Sequence, residues 1–592
     1  MDAQTAIGGS NERASRALWA PLALLAIAAS AFSVRSTDVF WHLASGRWIL
    51  EHGSIPKHDP FRFTSAGREW VDHEWLFQIV LYLAEAAGGL PALIALRVSW
   101  VLLLAATLAL ALTRIGLPRA EVVLVAGVAL LGARPRFLLR PELLTVLAIA
   151  ALFLLVREIA LSRHTPRRAV GGLLALTVVW ANVHGMALLS PALTGLYLLG
   201  CQIHNKSQGR LLSQQDPPPY PGVTWTRVFA LPAALLAALL INPYGWHLFA
   251  VALGITGAMR GLEAYNPEWV PAWVAPQPFL GVGVAATLLL VLLTWRATRR
   301  LHLPTLLPTL FLLAIAATAV RHQALFFLAA AFLAGESLRL LRPSREDSRR
   351  VAALATALLM IAAAWCAAPP SSGPLKPRQG RFTLGLGGIE RGKFPERAAD
   401  FLADRPEIGP LFNSFAYGGY LLWRLYPPRQ VFHEGRMELQ PTLLREIGEA
   451  RSGNREWDAM MGRYGATGAL VAIDPRPRPS LVWNEATQKL EPDGYFTANT
   501  LLFPSDTYAL VYWDDLSMLF LDRRRDQPAD LIEGEYRYIH PEDPRPALER
   551  AAADPRFRAR ALLEIERKLR QDPDSRLARE IRAALERVGR RR

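Results

Sequence analysis

An acid and an imidazole lie close together in residues 36–49, STDVFWHLASGRWI, directly after an apolar run. Asp38 and His42 are four residues apart, so both lie on one face if the stretch is helical. Carboxylates and imidazoles are side chains that enzymes use to move protons. The alternative is an interfacial acid that pairs with Arg35 or Arg47, and a histidine that only lies at a membrane surface.

A second group of this kind lies in VDHEWLF, which contains Asp72, His73 and Glu74. It directly precedes the apolar stretch 75–89. Glu74 is a second candidate acid for a site. Otherwise it caps the helix predicted for 75–89, because a helix N-terminus favours negative charge.

Basic residues lie at or near the ends of further apolar runs. Arg140 precedes a proline that begins one run, and Arg321 and His322 separate two others. Arg97 lies inside a run, where an ionisable side chain is costly. A guanidinium group can donate two hydrogen bonds to one phosphate, so these residues are candidate phosphate ligands. The alternative is that they reach lipid headgroups.

Polar residues interrupt the apolar pattern at three more places. WANVHG contains Asn182 and His184, and NPYG contains Asn242 and Tyr244. Glu268 precedes a tryptophan between two prolines. Irregular polar backbone at membrane depth is tolerated where it lines a cavity, so these five are candidate substrate contacts. The alternatives are capped turns and, at Glu268, an aromatic anchor at the interface.

Apolar helices must position these residues. Of 592 residues, 52% are hydrophobic, which predicts a membrane protein, and 20% are charged, which predicts a soluble part as well. A span needs about 20 apolar residues. The predicted spans, about 11 in number, are 17–34, 91–112, 120–134, 142–157, 169–183, 186–203, 228–242, 278–295, 302–319, 323–340 and 350–368. The fold class is therefore a polytopic α-helical membrane protein.

Loop charges orient these spans. The stretch 75–89 is short, contains Glu85 and ends in a glycine pair, so we predict that it lies along the membrane surface. Most arginines and lysines of the short loops then fall on one side, which is the inner side. The basic residues concerned include Arg114, Arg163, Arg167, Arg168, Arg299, Arg300, Arg342 and Arg345. This predicts a cytoplasmic N-terminus at 1–16, a membrane domain at 17–368 and a long outer loop at 35–90.

The C-terminal part is predicted to be extracytoplasmic. A Pro/Gly/Ser linker, APPSSGPLKPRQG, opens a predicted α/β domain at 369–535, with strands at 466–473, 507–513 and 517–522. Residues 536–592 are predicted to form amphipathic helices. The segment His433-Glu434-Gly-Arg436 is predicted to be a structural turn, with ligand binding as the alternative.

This arrangement resembles the GT-C superfamily of membrane glycosyltransferases. Its members include protein O-mannosyltransferases, the aminoarabinose transferases of lipid A and oligosaccharyltransferases. They share a first span, a long outer loop with an acid near its start, and many further spans. The resemblance covers residues 17–340 by architecture, and 409–440 resembles the outer domain of an uncharacterised bacterial branch.

The resemblance implies an inverting glycosyltransferase of the bacterial inner membrane. It would move a sugar from a polyprenyl-phosphate carrier to a glycan, lipid or protein acceptor at the periplasmic face. Asp38 would be the base, with Glu74 and His42 in support. The expected donor-phosphate ligands are Arg140, Arg321, His322 and Arg97, and the expected substrate contacts are Asp72, His73, Asn182, His184, Asn242, Tyr244 and Glu268.

No metal or other cofactor is expected. Metal-dependent relatives carry an acid pair in the loop that corresponds to 134–142, and this loop is basic and offers only Glu142. Cys201 and Cys366 lie in separate apolar runs near opposite predicted faces, so they cannot pair, and no Cys/His cluster has zinc spacing.

Other partners and functions also need consideration. The formal net charge is +15, but the sequence has no basic helix with interleaved base-reading residues, so no nucleic acid is expected. A lipid or sugar transporter would often show paired repeats, and the sequence shows none. A non-catalytic membrane protein that binds or assembles components of a glycan pathway remains the main alternative.

Overall fold

The computed structural model describes residues 19–162, 164, 166–211, 220–258, 267–275, 277–341, 345–367, 388–439, 441–476, 478–484 and 489–590. The predicted inner segment 1–16, the linker 368–380, Arg163 and Arg342 lie outside these residues. The chain forms two compact units. Unit 1 takes in the residues up to Ser36, Ser45–Ile55 and Val71–Ile389, and unit 2 takes in Thr37–Ala44, Pro56–Trp70 and the residues from Glu390 onward.

Unit 1 is built from helices. Their bounds are α1 Ala20–Ser30, the C-terminal part of α2 Asp38–His52, α3 Trp75–Ile115, α4 Arg119–Ala133, α5 Pro141–Leu161, α6 Arg167–Ala181, α7 Leu189–Leu211, α8 Trp225–Ala238, α9 His247–Ala258, α10 Pro278–Thr298, α11 Leu303–Thr318, α12 Gln323–Leu341 and α13 Arg345–Ala367. Every predicted span overlaps with one of these helices, and α9 is a helix that the sequence analysis did not predict.

Five helices of the described residues are long and apolar enough to cross a membrane, namely Trp75–Ile115, Pro141–Leu161, Gly185–Lys206, Pro278–Thr298 and Val320–Leu341. Four shorter helices are also apolar. This is the pattern of a multi-pass membrane protein. The count of about 11 spans stays a prediction, because a helix of 15 residues is only ~22 Å long, against a hydrocarbon core of ~30 Å.

Helix α3 contains a break at the glycine pair that ends the predicted surface stretch. Gly88 has φ −164° and ψ 20°, and Gly89 has φ 63° and ψ −154°, so neither is helical. A positive φ of this kind is open to glycine without the steric cost that a side chain brings. The break separates the predicted surface stretch, 75–89, from the apolar arm that follows it.

The core of unit 1 forms where helices approach closely. Phe153 of α5 stacks on Phe332 of α12, with ring centroids 4.7 Å apart. Gly132 of α4 lies so close to the ring of Phe327 that a Cβ would fall 2.1 Å from it. Small residues allow such close packing between membrane helices. Helix α10 instead exposes large apolar side chains such as Val282 and Leu288, as a lipid-facing helix would.

Unit 2 contains a four-stranded mixed sheet and helices. Its strands are β1 Leu411–Asn413, β2 Gly468–Ala472, β5 Tyr508–Trp513 and β6 Ser517–Asp522, in the order β1-β2-β6-β5, and only β1 and β2 are parallel. A separate antiparallel pair is formed by β3 Arg478–Asn484 and β4 Lys489–Phe496. The helices are α14 Glu396–Ala403, α15 Phe415–Leu425, α16 Pro441–Ala450, α17 Asn454–Arg463, α18 Ala498–Leu502, α19 Ala529–Glu533, α20 Arg545–Ala553, α21 Pro555–Gln571 and α22 Arg576–Arg590.

The units do not follow chain order. Two stretches of the predicted outer loop, Thr37–Ala44 and Pro56–Trp70, cluster with the C-terminal residues and not with the helices of unit 1. The start of α2, with Asp38, therefore belongs to unit 2. The domain boundaries 17–368, 369–535 and 536–592 stay predictions.

Candidate functional site

A cluster of charged and polar side chains in unit 1 is built from the ends of its helices. Asp72, His73 and Glu74 directly precede α3, Arg140 directly precedes α5, and His184 precedes the short 3-10 helix Gly185–Leu188. Glu268 and Arg321 lie in the 3-10 turns Pro267–Trp269 and Val320–His322. The ends of a helix have backbone N–H and C=O groups without partners inside the helix. Polar side chains are therefore common at helix ends, and the cluster forms where several such ends lie.

Two imidazoles face one carboxylate in this cluster. Glu74 Oε1 lies 3.7 Å from His73 Nε2 and 3.9 Å from His184 Nε2. Burial lowers the pKa of His73 to about 4 and the pKa of His184 to about 3, so both rings are neutral at pH 7. A neutral imidazole carries one N–H, which it can donate to a carboxylate or to a substrate hydroxyl.

The orientation of His184 is fixed by a chain of hydrogen bonds. Trp180 Nε1 donates to Thr145 Oγ1 at 2.9 Å, and Thr145 Oγ1 lies 2.8 Å from His184 Nδ1. In the tautomer whose Nδ1 accepts from the threonine hydroxyl, Nε2 carries the proton and faces Glu74. This tautomer holds an N–H donor next to the candidate acid.

Arginines gather on the other side of the same cluster. Arg136 Nη1 and Arg140 Nη1 share Glu268 Oε2, at 3.1 Å and 3.0 Å. Burial raises the pKa of Glu268, but the guanidinium groups of Arg140 and Arg136 outweigh burial and hold that pKa at about 2. Arg321 forms an ion pair with Glu142 and lies 4.5 Å from the centroid of the Trp269 ring.

These contacts bring three guanidinium groups together. Arg136 and Arg140 are both paired with Glu268, and Arg321 is paired with Glu142. Arginine forks of this kind bind phosphate oxygens through two hydrogen bonds at once. The arrangement can accept an anion, and the neighbouring Glu74 and its imidazoles offer proton-transfer groups.

Four predicted substrate contacts form the frame of this cluster. Tyr244 Oη accepts from the backbone N–H of Asp72 at 3.0 Å, and Asn182 Oδ1 accepts from Trp75 Nε1 at 3.1 Å. Asn242 Oδ1 accepts from the backbone N–H of Tyr244 at 2.8 Å, as in a capped turn. These contacts tie the chain before α3 to the ends of α6 and α8, and substrate binding by these residues stays a prediction.

Arg97 and His322 have described contacts within the protein. Arg97 Nε donates to the carbonyl of Ser30 at 2.7 Å, and its guanidinium group lies 3.6 Å from the centroid of the Phe32 ring. It therefore satisfies a carbonyl at the end of α1, which a helix C-terminus leaves unpaired. His322 Nδ1 lies 3.3 Å from Thr318 Oγ1. Phosphate binding by either residue stays a prediction.

Asp38 and His42 lie in the part of α2 that belongs to unit 2. Thr37 Oγ1 donates to Asp38 Oδ1 at 3.3 Å, and His42 stacks obliquely on Trp41, with ring centroids 3.7 Å apart. Gly435 approaches the same carboxylate so closely that a Cβ built on it would lie 2.6 Å from Asp38 Oδ1. The glycine therefore shapes the surroundings of Asp38.

A buried charge network, formed by Asp59, Arg62, Glu434 and Arg436, holds Gly435 in place. Arg62 Nε lies 2.8 Å from Asp59 Oδ2, and Arg436 Nη2 lies 3.0 Å from Asp59 Oδ1 and 2.7 Å from Glu434 Oε1. Burial raises the pKa of Asp59, but Arg436 and Arg62 outweigh burial and hold it at about 2. The predicted turn at 433–436 is thus one half of a network whose other half is in the predicted outer loop.

A metal centre was not expected, and this expectation stays a prediction. Across the parts of the chain that the structure describes, no group of three or more His, Cys, Asp or Glu side chains is placed to hold a metal ion.

Solved structures with a similar fold exist. The archaeal oligosaccharyltransferase AglB from Archaeoglobus fulgidus, solved with an inhibitory peptide and a dolichol-phosphate, matches at a TM-score of 0.52 and 10% identity, over 95% of this chain and 86% of that one. The chain has the GT-C fold. ArnT from Cupriavidus metallidurans, bound to undecaprenyl phosphate, matches at a TM-score of 0.46 and 14% identity, over 86% of this chain and 97% of that one. No family model and no curated protein sequence matches this chain.

Within this GT-C fold, unit 1 brings together six predicted residues, which are His73, Glu74, Arg140, His184, Glu268 and Arg321. The sequence analysis did not place Arg136 and Glu142 among the candidate site residues, although both lie within four residues of Arg140. Their position in the same predicted outer loop as Arg140 could have identified them as candidate site residues. Asp59 and Arg62 were also left out, and no local pattern distinguishes them.

Proposed function

We propose that this protein is an inverting glycosyltransferase of the bacterial inner membrane. It moves a sugar from a polyprenyl-phosphate carrier to an acceptor hydroxyl at the periplasmic face. The observation that carries the proposal is the cluster in unit 1, where an acid faced by two neutral imidazoles adjoins a group of three arginines. The GT-C fold supports it, since AglB with this fold was solved with a dolichol-phosphate.

The reaction needs two kinds of group. The acceptor oxygen attacks the anomeric carbon, the bond from that carbon to the phosphate oxygen breaks, and the configuration inverts. A carboxylate takes the hydroxyl proton, which is the proposed role of Asp38, with Glu74 as a supporting acid. The leaving phosphate takes the electron pair of the broken bond, and Arg140 and Arg321 are proposed to bind it.

Cellular glycan analysis tests the proposal. Cells that express Asp38→Asn or Glu74→Gln as the sole copy are expected to lose one glycoconjugate while the membrane level of the protein stays normal. Asp526→Asn, which changes an exposed acid, is the matched control and should retain the product. The missing product would identify sugar and acceptor together.

Two outcomes would contradict the proposal. If both variants keep the product at the normal level, the acids serve no chemistry, and a non-catalytic role in binding or assembly is favoured over transfer. If EDTA abolishes transfer by the purified protein and Mg²⁺ or Mn²⁺ restores it, the metal-independent form of the proposal is wrong.

A further inference from the structure

Unit 2 contains a cleft that the proposed transfer reaction does not use. Its volume is about 740 Å³, and it lies between α14, the strand β5, and the helices α19 and α21. Binding sites for small ligands are clefts of ~300–1,000 Å³ with a few well-placed polar groups. The cleft is therefore of the size that such sites have.

The cleft is lined by equal numbers of positively and negatively charged side chains. Four cationic side chains and four carboxylates line it, so its formal charge is zero. An anionic ligand would meet the carboxylates, and a cationic one would meet the guanidinium groups. A ligand with many hydroxyl groups suits both, because each hydroxyl donates one hydrogen bond and accepts others.

One buried oxygen in the wall has unused capacity. Asp572 is nearly buried, and its Oδ1 pairs with Arg397. Asp572 Oδ2 lies 3.6 Å from Lys568 Nζ, which is too long for a hydrogen bond, and it has no other hydrogen-bond partner among the residues described. A buried acceptor of this kind is costly unless a donor reaches it, and a ligand hydroxyl would do so once Asp572 turns towards the cleft that it lines.

Aromatic rings form another part of the wall. Phe401 and Tyr512 are both partly exposed, and their ring centroids lie 4.5 Å apart. The guanidinium group of Arg405 lies over the Phe401 ring, 3.9 Å from its centroid, so Tyr512 is the ring whose electron-rich face can attract the slightly positive C–H groups on the apolar side of a sugar ring. Rings next to paired donors and acceptors suit the two chemically different faces of a carbohydrate.

A peptide is the main competitor, and β5 is an edge strand that a peptide could extend. However, the backbone N–H of Tyr536 already donates to the carbonyl of Leu510 at 2.7 Å, and Lys568 Nζ donates to the carbonyl of Trp513. These contacts occupy carbonyls at both ends of the segment 510–513. Strand addition is therefore disfavoured.

We propose that this cleft binds an uncharged oligosaccharide. The proposal concerns binding alone, and its use in holding the acceptor glycan rests on the proposed function. It is tested with the full-length protein in lipid nanodiscs, since detergents with sugar headgroups would compete. Cellopentaose, maltopentaose and chitopentaose are the uncharged probes, tetragalacturonate is the anionic probe, and an uncharged decapeptide is the peptide probe. Binding is measured by saturation-transfer NMR and calorimetry.

At least one uncharged pentasaccharide is expected to bind. Tyr512→Leu and Arg567→Gln should weaken that binding by about tenfold or more, the loss expected when a contact to an aromatic ring or a charged donor is removed. Arg525→Gln, an exposed arginine outside the cleft, is the matched control and should bind normally. The thermal unfolding of each variant shows whether unit 2 stays folded.

The proposal is overturned if no uncharged pentasaccharide binds at millimolar concentration, if folded cleft variants bind as well as the wild type, or if only the peptide or the anionic sugar binds. Asp38→Asn separates this proposal from the proposed function, because it should abolish transfer and leave oligosaccharide binding intact. A protein that transfers sugar but does not bind the probes would contradict the cleft proposal alone.

Discussion

Replacing Gly435 by alanine is expected to lower the kcat of sugar transfer by about 100-fold, because the new Cβ would displace Asp38. That Cβ would lie 2.6 Å from Asp38 Oδ1, whereas ordinary contact begins at 3.4 Å, so the carboxylate must retreat by about 0.8 Å. Catalytic groups act only when held within ~0.5 Å of the productive geometry, and a misplacement of ~1 Å can cost ~10²-fold in rate. The backbone of Gly435 is not in the left-handed region, so alanine itself is tolerated there.

The assay is transfer by the purified protein, with the donor and acceptor that the glycan analysis identifies. KM for the donor should change little, because the atoms nearest to the new Cβ belong to Asp38 and Trp41, neither of which is a proposed phosphate ligand. Overpacking should cost about 1–3 kcal/mol in the free energy of unfolding, which thermal unfolding measures. Gly453→Ala is the matched control, since its Cβ would lie equally close, 2.6 Å, to a carboxylate oxygen of Glu456 in the same unit.

One result would refute this reasoning directly. If Gly435→Ala transfers sugar at the wild-type rate while Asp38→Asn is inactive, the position of Asp38 does not depend on this glycine. If Gly453→Ala loses as much activity as Gly435→Ala, the effect is a general loss of stability in unit 2 and not a displaced base.

Three further predictions concern the charged groups. Arg436→Met removes one of the two arginines that pair with the buried acids Asp59 and Glu434, and it should lower the free energy of unfolding by about 3–5 kcal/mol, as measured by chemical denaturation against the exposed control Arg525→Met. The pKa of Asp59 lies below its ordinary value of 3.8, at about 2, so its ionised form stabilises the fold above pH ~4, and about 2 kcal/mol is lost as the pH falls from 4 through 2. Asp59→Asn should remove that acid-dependent loss from a pH series of unfolding curves, and an unchanged series would contradict the assignment. Glu74→Gln should lower kcat by about 10²–10⁴-fold at a normal membrane level of the protein, and full activity would exclude Glu74 from catalysis.

The helices of unit 1 could be predicted because their signals are local. An apolar run shows itself within about 20 residues, and the glycine pair at 88–89 marks the break in α3 without reference to any other element. Proline before Glu142 likewise marks the start of α5. Boundaries differ by a few residues because helix ends depend on contacts as well as on composition.

The pairing of charges could not be predicted in the same way. Arg140 and Glu268 are 128 residues apart, and Arg321 and Glu142 are 179 apart, so only the folded helices bring them together. The sequence analysis therefore identified Arg140 as a candidate phosphate ligand and Glu268 as a candidate substrate contact. It did not predict that the two side chains form an ion pair. It also assigned His433–Arg436 to a structural turn and did not predict the charge network there. The partners of that segment lie in the predicted outer loop, more than 370 residues earlier in the sequence.

The buried charge network also sets a constraint on synthesis. Arg62 and Arg436 are 374 residues apart, and Asp59 and Arg436 are 377 apart. At ~5–20 residues per second, a ribosome needs roughly 20–75 seconds to finish Arg436 after it has made Arg62. Throughout that interval Asp59 and Arg62 can pair only with each other within this network, so a chain that stops before Arg436 carries an unfinished core. The network thus marks a chain that has been made at least as far as Arg436.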